Sequence, residues 1–368
     1  MSDIPTFPPL RRTARVQPLI VTLLLAIGGG AVGAFLLLWF FPSLRQVYIP
    51  PGTSNVVVER PGKLVVEESN AIGERRALLL PQVAYVFRHS SSAAKLYLKS
   101  EAVGTAVLVT SDGWFATTAD VKPAEGDTLL LAGKPLTVTK VVFDTSSAYA
   151  LVKTDGRDLS QPVVFADSSA QVPGTTVFVL FAGGDTVKTS LVSTTTALND
   201  DQTLSSDRLS SGFALATTEV MPSGTPVFML SGELLGLVYN TESRSLVLPA
   251  NTLSHLLTNV LRIGKADRAA LGVPYTINLA ALMSGENEAS VFIVAGKAGS
   301  GPLASGSAKG ILRPGDVLLA VDDQALRTPD DLYQVVQRMR PGDKLSIHYK
   351  RGDSVRDVTI TLATLTAP

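Results

Sequence analysis

Ser223 stands in the stretch EVMPSGTPVF, residues 219–228, followed by Gly224, Thr225, Pro226 and an apolar run. That outline offers a hydroxyl as a nucleophile. A serine hydroxyl attacks only when a base takes its proton and a third group orients that base. Bases are scarce in this chain, which holds three histidines (His89, His255 and His348) and no cysteine. A thiolate nucleophile, a disulfide framework and a Cys-based zinc site are therefore excluded. The residues call for no metal and no cofactor.

The 368 residues suggest two or three domains. With 32 basic and 32 acidic residues, there is no electrostatic case for a nucleic-acid partner. Hydrophobic residues make up 45%, and the excess lies at one end. LIVTLLLAIGGGAVGAFLLLWFF, residues 19–41, carries no charge; as a helix it would measure roughly 34 Å, enough to cross a bilayer. It is longer than the apolar region of about 7–15 residues in a signal peptide. It ends in Trp39, Phe40, Phe41 and Pro42, an interfacial belt rather than a cleavage site. Arg11, Arg12 and Arg15 precede it and Arg45 follows. The positive-inside rule then predicts a single-pass cell (inner) membrane anchor. Residues 1–18 would be cytoplasmic and the globular domains periplasmic or extracellular.

Residues 42–81, rich in Pro, Gly and charge, read as a stalk or connector, with some strand expected in NVVVE and KLVVEE. From about 82 the chain becomes short apolar runs broken by turns, among them AVLVT, WFATT, LTVTKVVF, YALVKT, TTVFVLF, PVFML and ELLGLVYN. That spacing predicts a mainly β barrel or sandwich. Asn251 is expected to cap a helix that carries Leu253, Leu256, Leu257, Val260 and Leu261 and stops at Gly264. A second unit, 266–366, contains ALGVPYTINL, a Gly/Ser-rich loop and LRPGDVLLAVDD. In the helix that follows, Thr328 is the expected N-cap, with Pro329 in the first turn and Asp331 in a capping box. Leu332, Val335, Val336 and Met339 fall on one face of it. KLSIHYKRGDSVRDVTITL closes the unit as a hairpin, with Arg351-Gly352-Asp353 at its turn.

Together these features resemble the HtrA family of membrane-anchored, trypsin-like serine proteases with a C-terminal PDZ domain. The likeness covers roughly residues 82–365, with the anchor in addition. The family's histidine motif, of the form DGYILTNNHVV, is matched by DGWFATTADV at 112–121, which places Asp120 at the histidine position. Its acid pattern, DPRSDLALLK, is matched by DTSSAYALVK at 144–153, which places Ala148 at the acid position. The nucleophile motif GNSGGPL becomes MPSGTPV at 221–227, with Ser223 in the nucleophile's place. GELLGLVYN and SLVLPANTL resemble the last strands and the passage into the terminal helix. The implied architecture is a transmembrane helix, a two-β-barrel trypsin-like domain over 82–263 and a PDZ domain over 266–366.

The expected chemistry is poor. Aspartate has a reference pKa near 3.9 and so a low proton affinity. Its side chain is shorter than histidine's, and Asp120 is expected not to reach the Ser223 hydroxyl without backbone movement. Met221 replaces the glycine whose N–H serves the oxyanion hole, and Pro222 stiffens the same loop. Ser223 thus reads as a relic nucleophile in a noncatalytic adaptor or sensor of envelope protein quality control. The alternatives are an endopeptidase with an unconventional base and a structural membrane scaffold. The resemblance further implies that C-terminal or unfolded peptide segments bind the PDZ unit by strand addition. Ala270-Leu271-Gly272-Val273 would serve as the carboxylate loop, with Leu332 and Val336 on the groove's helix. It also implies a homotrimer, or a mixed oligomer with an active paralogue.

Overall fold

The computed structural model describes residues 61–89, 96–144, 146–198, 203–217, 219–241, 244–278, 292–295, 303, 306–326 and 331–365. The expected anchor, 19–41, and the tail before it lie outside these residues. Among the described residues no helix is long and apolar enough to cross a membrane. From Gly62 onward the chain packs as one unit.

Helix α1, Pro61–Leu79, opens that unit and corrects the strand expected in KLVVEE. Pro61 fits the first helical position, where its missing N–H costs nothing. The Glu, Arg, Ala and Leu residues that follow favour helix over strand. Ile72 and Leu79, two turns apart on one face, are its buried apolar anchors.

Two closed six-stranded barrels follow. The first is built from β1 (Val83–Phe87), β2 (Gly104–Leu108), β3 (Trp114–Thr118), β4 (Thr128–Leu131), β5 (Lys134–Phe143) and β6 (Tyr149–Thr154). The second uses β7 (Thr176–Leu180), β8 (Thr186–Ala197), β10 (Ser211–Leu215), β11 (Pro226–Met229), β12 (Leu234–Asn240) and β13 (Ser245–Pro249). A two-residue strand, β9 (Leu204–Ser205), lies between β8 and β10 but joins neither barrel. Many strands are apolar on both faces because both faces are covered. In β2, Ala106 and Leu108 point into the first barrel, while Val107 joins a core between the barrels. That shared core holds the Phe178–Phe228 stack, with centroids 5.7 Å apart. Tyr149 is fully buried beside it and donates to Leu248 O at 2.6 Å, joining the first barrel to the second. Burial pushes its phenol well above the ordinary value.

Helix α2, Ala250–Ile263, closes the second barrel and ends at Gly264 with φ 74°, as its left-handed C-cap requires. Its N-cap is Pro249, not Asn251. Asn251 instead ties the first turn to the segment 167–168: its Nδ2 donates to Asp167 Oδ1 at 3.0 Å, and its Oδ1 accepts from Ser168 N at 3.1 Å.

The C-terminal unit comprises β14 (Arg268–Ala270), β15 (Pro274–Ile277), β16 (Phe292–Val294), β17 (Val317–Val321), β18 (Gln324–Ala325), α3 (Asp331–Arg338), β19 (Lys344–Arg351), β20 (Ser354–Thr361) and β21 (Ala363–Leu365). The main sheet runs β20-β19-β17-β16-β15-β9, with β18 pairing β17, and β14 pairs β21 apart from it. Thr328 and Pro329, the expected start of α3, lie outside the described residues.

A buried ionic link joins this unit to the first barrel. Arg268, 1% exposed at its side chain, contacts Asp144, 2% exposed; its Nη1 also donates to Gln337 of α3. Asp144 is further held by the hydroxyls of Ser146 and Ser147. Removing one member of such a pair strands the other's charge in a low dielectric. Arg268→Met is expected to lower unfolding stability by about 3–5 kcal/mol, measured by urea denaturation.

His255 on α2 has its pKa lowered, first by burial and then by the charges of Arg268 and Arg338. The unfolded chain then takes up this proton near pH 6.5, before the folded chain does. Its contribution is fully present above that pH and is lost as pH falls toward the folded value. Thermal midpoints should drop on acidification below about pH 6.5, and less steeply in His255→Gln.

Candidate functional site

Ser223 lies in the loop entering β11, at the seam where the two barrels meet. Its carbonyl accepts from Thr105 N at 2.9 Å, and Gly224 N donates to Val238 O at 2.8 Å. Gly224 has φ +76°, and a Cβ there would fall 2.0 Å from Thr105 O. Only glycine fits this turn. Thr225 Oγ1 donates to Pro222 O at 2.7 Å and closes the loop on itself.

Asp120 sits in a single turn of 3-10 helix, Ala119–Val121, directly after β3. The Ser223 hydroxyl donates to Asp120 Oδ2. This overturns the expectation that the shorter side chain falls short of the hydroxyl. The reason is the end of β12, which draws the two loops together. Asn240 N donates to the same Oδ2 at 3.0 Å, while Asn240 Nδ2 donates to Ser223 Oγ at 2.9 Å and to Met221 O at 2.8 Å. Ser245 Oγ holds the amide from behind, through Asn240 Oδ1. Asp120 Oδ1 is buried and has no partner among the described residues. Tyr239, the neighbour of Asn240, has its phenol pKa raised, first by burial and then by the Asp120 charge.

Ala148 is at the position read as the acid's. It adopts a left-handed backbone, φ 59°, and its carbonyl accepts from Ala119 N at 2.7 Å. It therefore supports the turn that carries Asp120 through the backbone, with a methyl group for a side chain. The histidines are engaged elsewhere: His89 Nδ1 lies 3.1 Å from Gly126 O, His255 is on α2, and His348 pairs with Asp357 across the C-terminal hairpin. The hydroxyl's proton thus points at a carboxylate rather than at an imidazole. Met221 is 3% exposed and packs in the second barrel's core, with its carbonyl bound by Asn240. A cleft of about 760 Å³ opens beside this loop, lined in part by Met221, Asn240, Leu215, Glu219, Val220 and Leu246. Asn240 had one sequence signal, a lone amide at the end of an apolar strand, and nothing local tied it to Ser223.

In the C-terminal unit, Leu271 and Val273 bury their side chains completely, in the same core as Leu332 and Val336. Ala270 ends β14 and is 8% exposed. The partly buried Val335 and Met339 lie at the edge of that core. The N–H groups of Leu271 and Gly272 are hydrogen-bonded to the buried Asp207. Among the described residues no group of three or more His, Asp or Glu is placed to hold a metal.

A trypsin-like peptidase domain model matches residues 104–237, and a PDZ domain model matches 294–362. The DegP-like periplasmic serine endoprotease of Brucella suis is 29% identical over 153 residues, 39% of this chain and 29% of that one. Its Rhizobium meliloti counterpart is 25% identical over 288 residues, 73% of this chain and 54% of that one. The chain thus spans about half or less of these relatives' length. The solved structure of the HtrA-type protease AlgW with a tripeptide superimposes with a TM-score of 0.57 at 22% identity, covering 82% of this chain and 98% of that one. AlgW with a decapeptide gives 0.56 at 21%, over 82% and 99%. At such identity the likeness is one of fold. The chain thus carries a trypsin-like peptidase domain and a PDZ domain, and it resembles the HtrA-type structures in fold. The seam between the two barrels is the place where Ser223, Asp120 and Asn240 converge.

Replacing Asp120 with Ala removes the acceptor of both the Ser223 O–H and the Asn240 N–H. Stability should fall by about 1–3 kcal/mol, with Ser223→Ala costing about 1 kcal/mol or less, both read from denaturation midpoints.

Proposed function

We propose that this chain is an HtrA-type pseudoprotease: a noncatalytic, peptide-binding adaptor or sensor in cell-envelope protein quality control, anchored by residues 19–41. One observation carries the reading. The Ser223 hydroxyl gives its hydrogen bond to the Asp120 carboxylate, where a trypsin-like mechanism requires an imidazole. Ala148 has no carboxylate that could orient such a base. Asn240 Nδ2 also occupies the hydroxyl oxygen, so the lone pairs that would attack a carbonyl are partly engaged. The envelope setting is supported by relatives named as periplasmic, and peptide binding by the AlgW structures with peptides.

The Ser223–Asp120 contact is also the geometry an unconventional aspartate base would need, so activity at Ser223 must be measured directly. A fluorophosphonate probe is expected to leave Ser223 unlabelled under conditions that fully label an active trypsin-like enzyme. Stoichiometric labelling that disappears in Ser223→Ala would overturn the noncatalytic reading.

A further inference from the structure

The edge of the C-terminal sheet is covered by this chain's own second-barrel loop. β9 runs antiparallel to β15, with Ser205 opposite Pro274 and Leu204 opposite Tyr275. Ser206 N donates to Val273 O at 3.0 Å, and Val273 N donates to Ser206 Oγ at 2.9 Å. Asp207 ends the run. Its Oδ1 accepts from Leu271 N at 2.8 Å and its Oδ2 from Gly272 N at 2.9 Å. The turn that presents these two amides is tight. Gly272 has φ +76°, and a Cβ on it would lie 2.4 Å from Gly306 Cα. Leu204, at the other end of the run, packs against the same apolar core as Val335 and Met339.

A peptide captured by strand addition at this edge would do the same things. It would run antiparallel to β15, set its terminal carboxylate on successive backbone N–H groups, and seat an apolar side chain against the helix. Leu204-Ser205-Ser206-Asp207 does each of them, with a side-chain carboxylate in place of a chain end. Asp207 and Ser206 are buried, at 8% and 0% exposed, so an incoming chain end finds neither the amides nor the strand edge free.

We propose that residues 204–207 are a built-in pseudo-ligand that holds the peptide groove shut. The displacing partner is an extended segment with a free α-carboxylate and an apolar residue three positions before its end. This rests on the reading of the C-terminal unit as a peptide-binding domain. A tethered occupant acts as a competitor at an effective concentration on the order of millimolar. The apparent affinity for an outside peptide is reduced by the fraction of molecules whose groove is open.

The test uses the full chain and a library of decapeptides with free C-terminal carboxylates, alongside the same library amidated. Asp207→Ala removes the charge-assisted contacts and is expected to bind free-acid members at least about tenfold more tightly than the wild type. The amidated library should gain nothing. The chain has no native cysteine, so Ser205→Cys/Pro274→Cys can lock β9 to β15 across an opposed pair. The oxidised form should bind no library member, and reduction should restore wild-type binding. Equal affinities for wild type and Asp207→Ala, or undiminished binding by the oxidised form, would overturn the proposal and leave the peptide-binding reading standing. Suppose no protein binds any free-acid peptide while Leu271 and Gly272 amides exchange faster with deuterium in Asp207→Ala. Both readings then fall.

Discussion

A guanidinium taken out of water must have its charge answered where it lies, and Arg268 sets that condition for this molecule. Its partners come from separate parts of the chain: Asp144 from the loop between β5 and β6, and Gln337 from α3. Asp144 in turn orders Ser146 and Ser147, which lead into Ala148. Through this one buried pair, the loop that shapes the turn of Asp120 is fixed to the C-terminal unit. Tyr333 of α3 reaches into the core shared by the barrels, and burial pushes its phenol above the ordinary range. The three parts of the fold are therefore packed as one body rather than strung as beads.

At the seam, the same frame that could serve catalysis holds a hydrogen-bond set that leaves Asp120 Oδ1 without a partner among the described residues. Asp120 accepts two donors, Ser223 gives one bond and receives one, and Asn240 bridges both to the Met221 carbonyl. In this role the Asp120 carboxylate orients and satisfies the Ser223 hydroxyl. The loop keeps the shape that Gly224 imposes, while Met221 and Pro222 fill and stiffen what precedes it. In the C-terminal unit another carboxylate, Asp207, plays a comparable part by satisfying two amides at a glycine turn.

Much of the fold was legible residue by residue. Runs such as WFATT, YALVKT and ELLGLVYN became β3, β6 and β12, because covered strands carry apolar residues on both faces. Gly264 ended its helix as its backbone freedom predicts. The misses were local choices settled by competing context. KLVVEE, with two valines in sequence, lies within α1, because helix formers follow it and Ile72 and Leu79 give the helix a buried face. Asn251 moved from the cap into the first turn, where Asp167 and Ser168 offered better partners.

Residue types alone determined which conventional partners the chain does not offer Ser223: no histidine lies between His89 and His255, and Ala148 has no acid to offer. They also determined the order of strands, turns and helices, since these follow from periodicity and from glycine and proline. Only the tertiary structure decided what those residues do instead. Ser223 meets Asp120 across 103 positions, Arg268 meets Asp144 across 124, and Asp207 meets Leu271 across 64. Such pairs leave no local signature. They exist because closed barrels and a shared core bring distant loops together, and buried polar groups then bond to whatever the packing sets beside them.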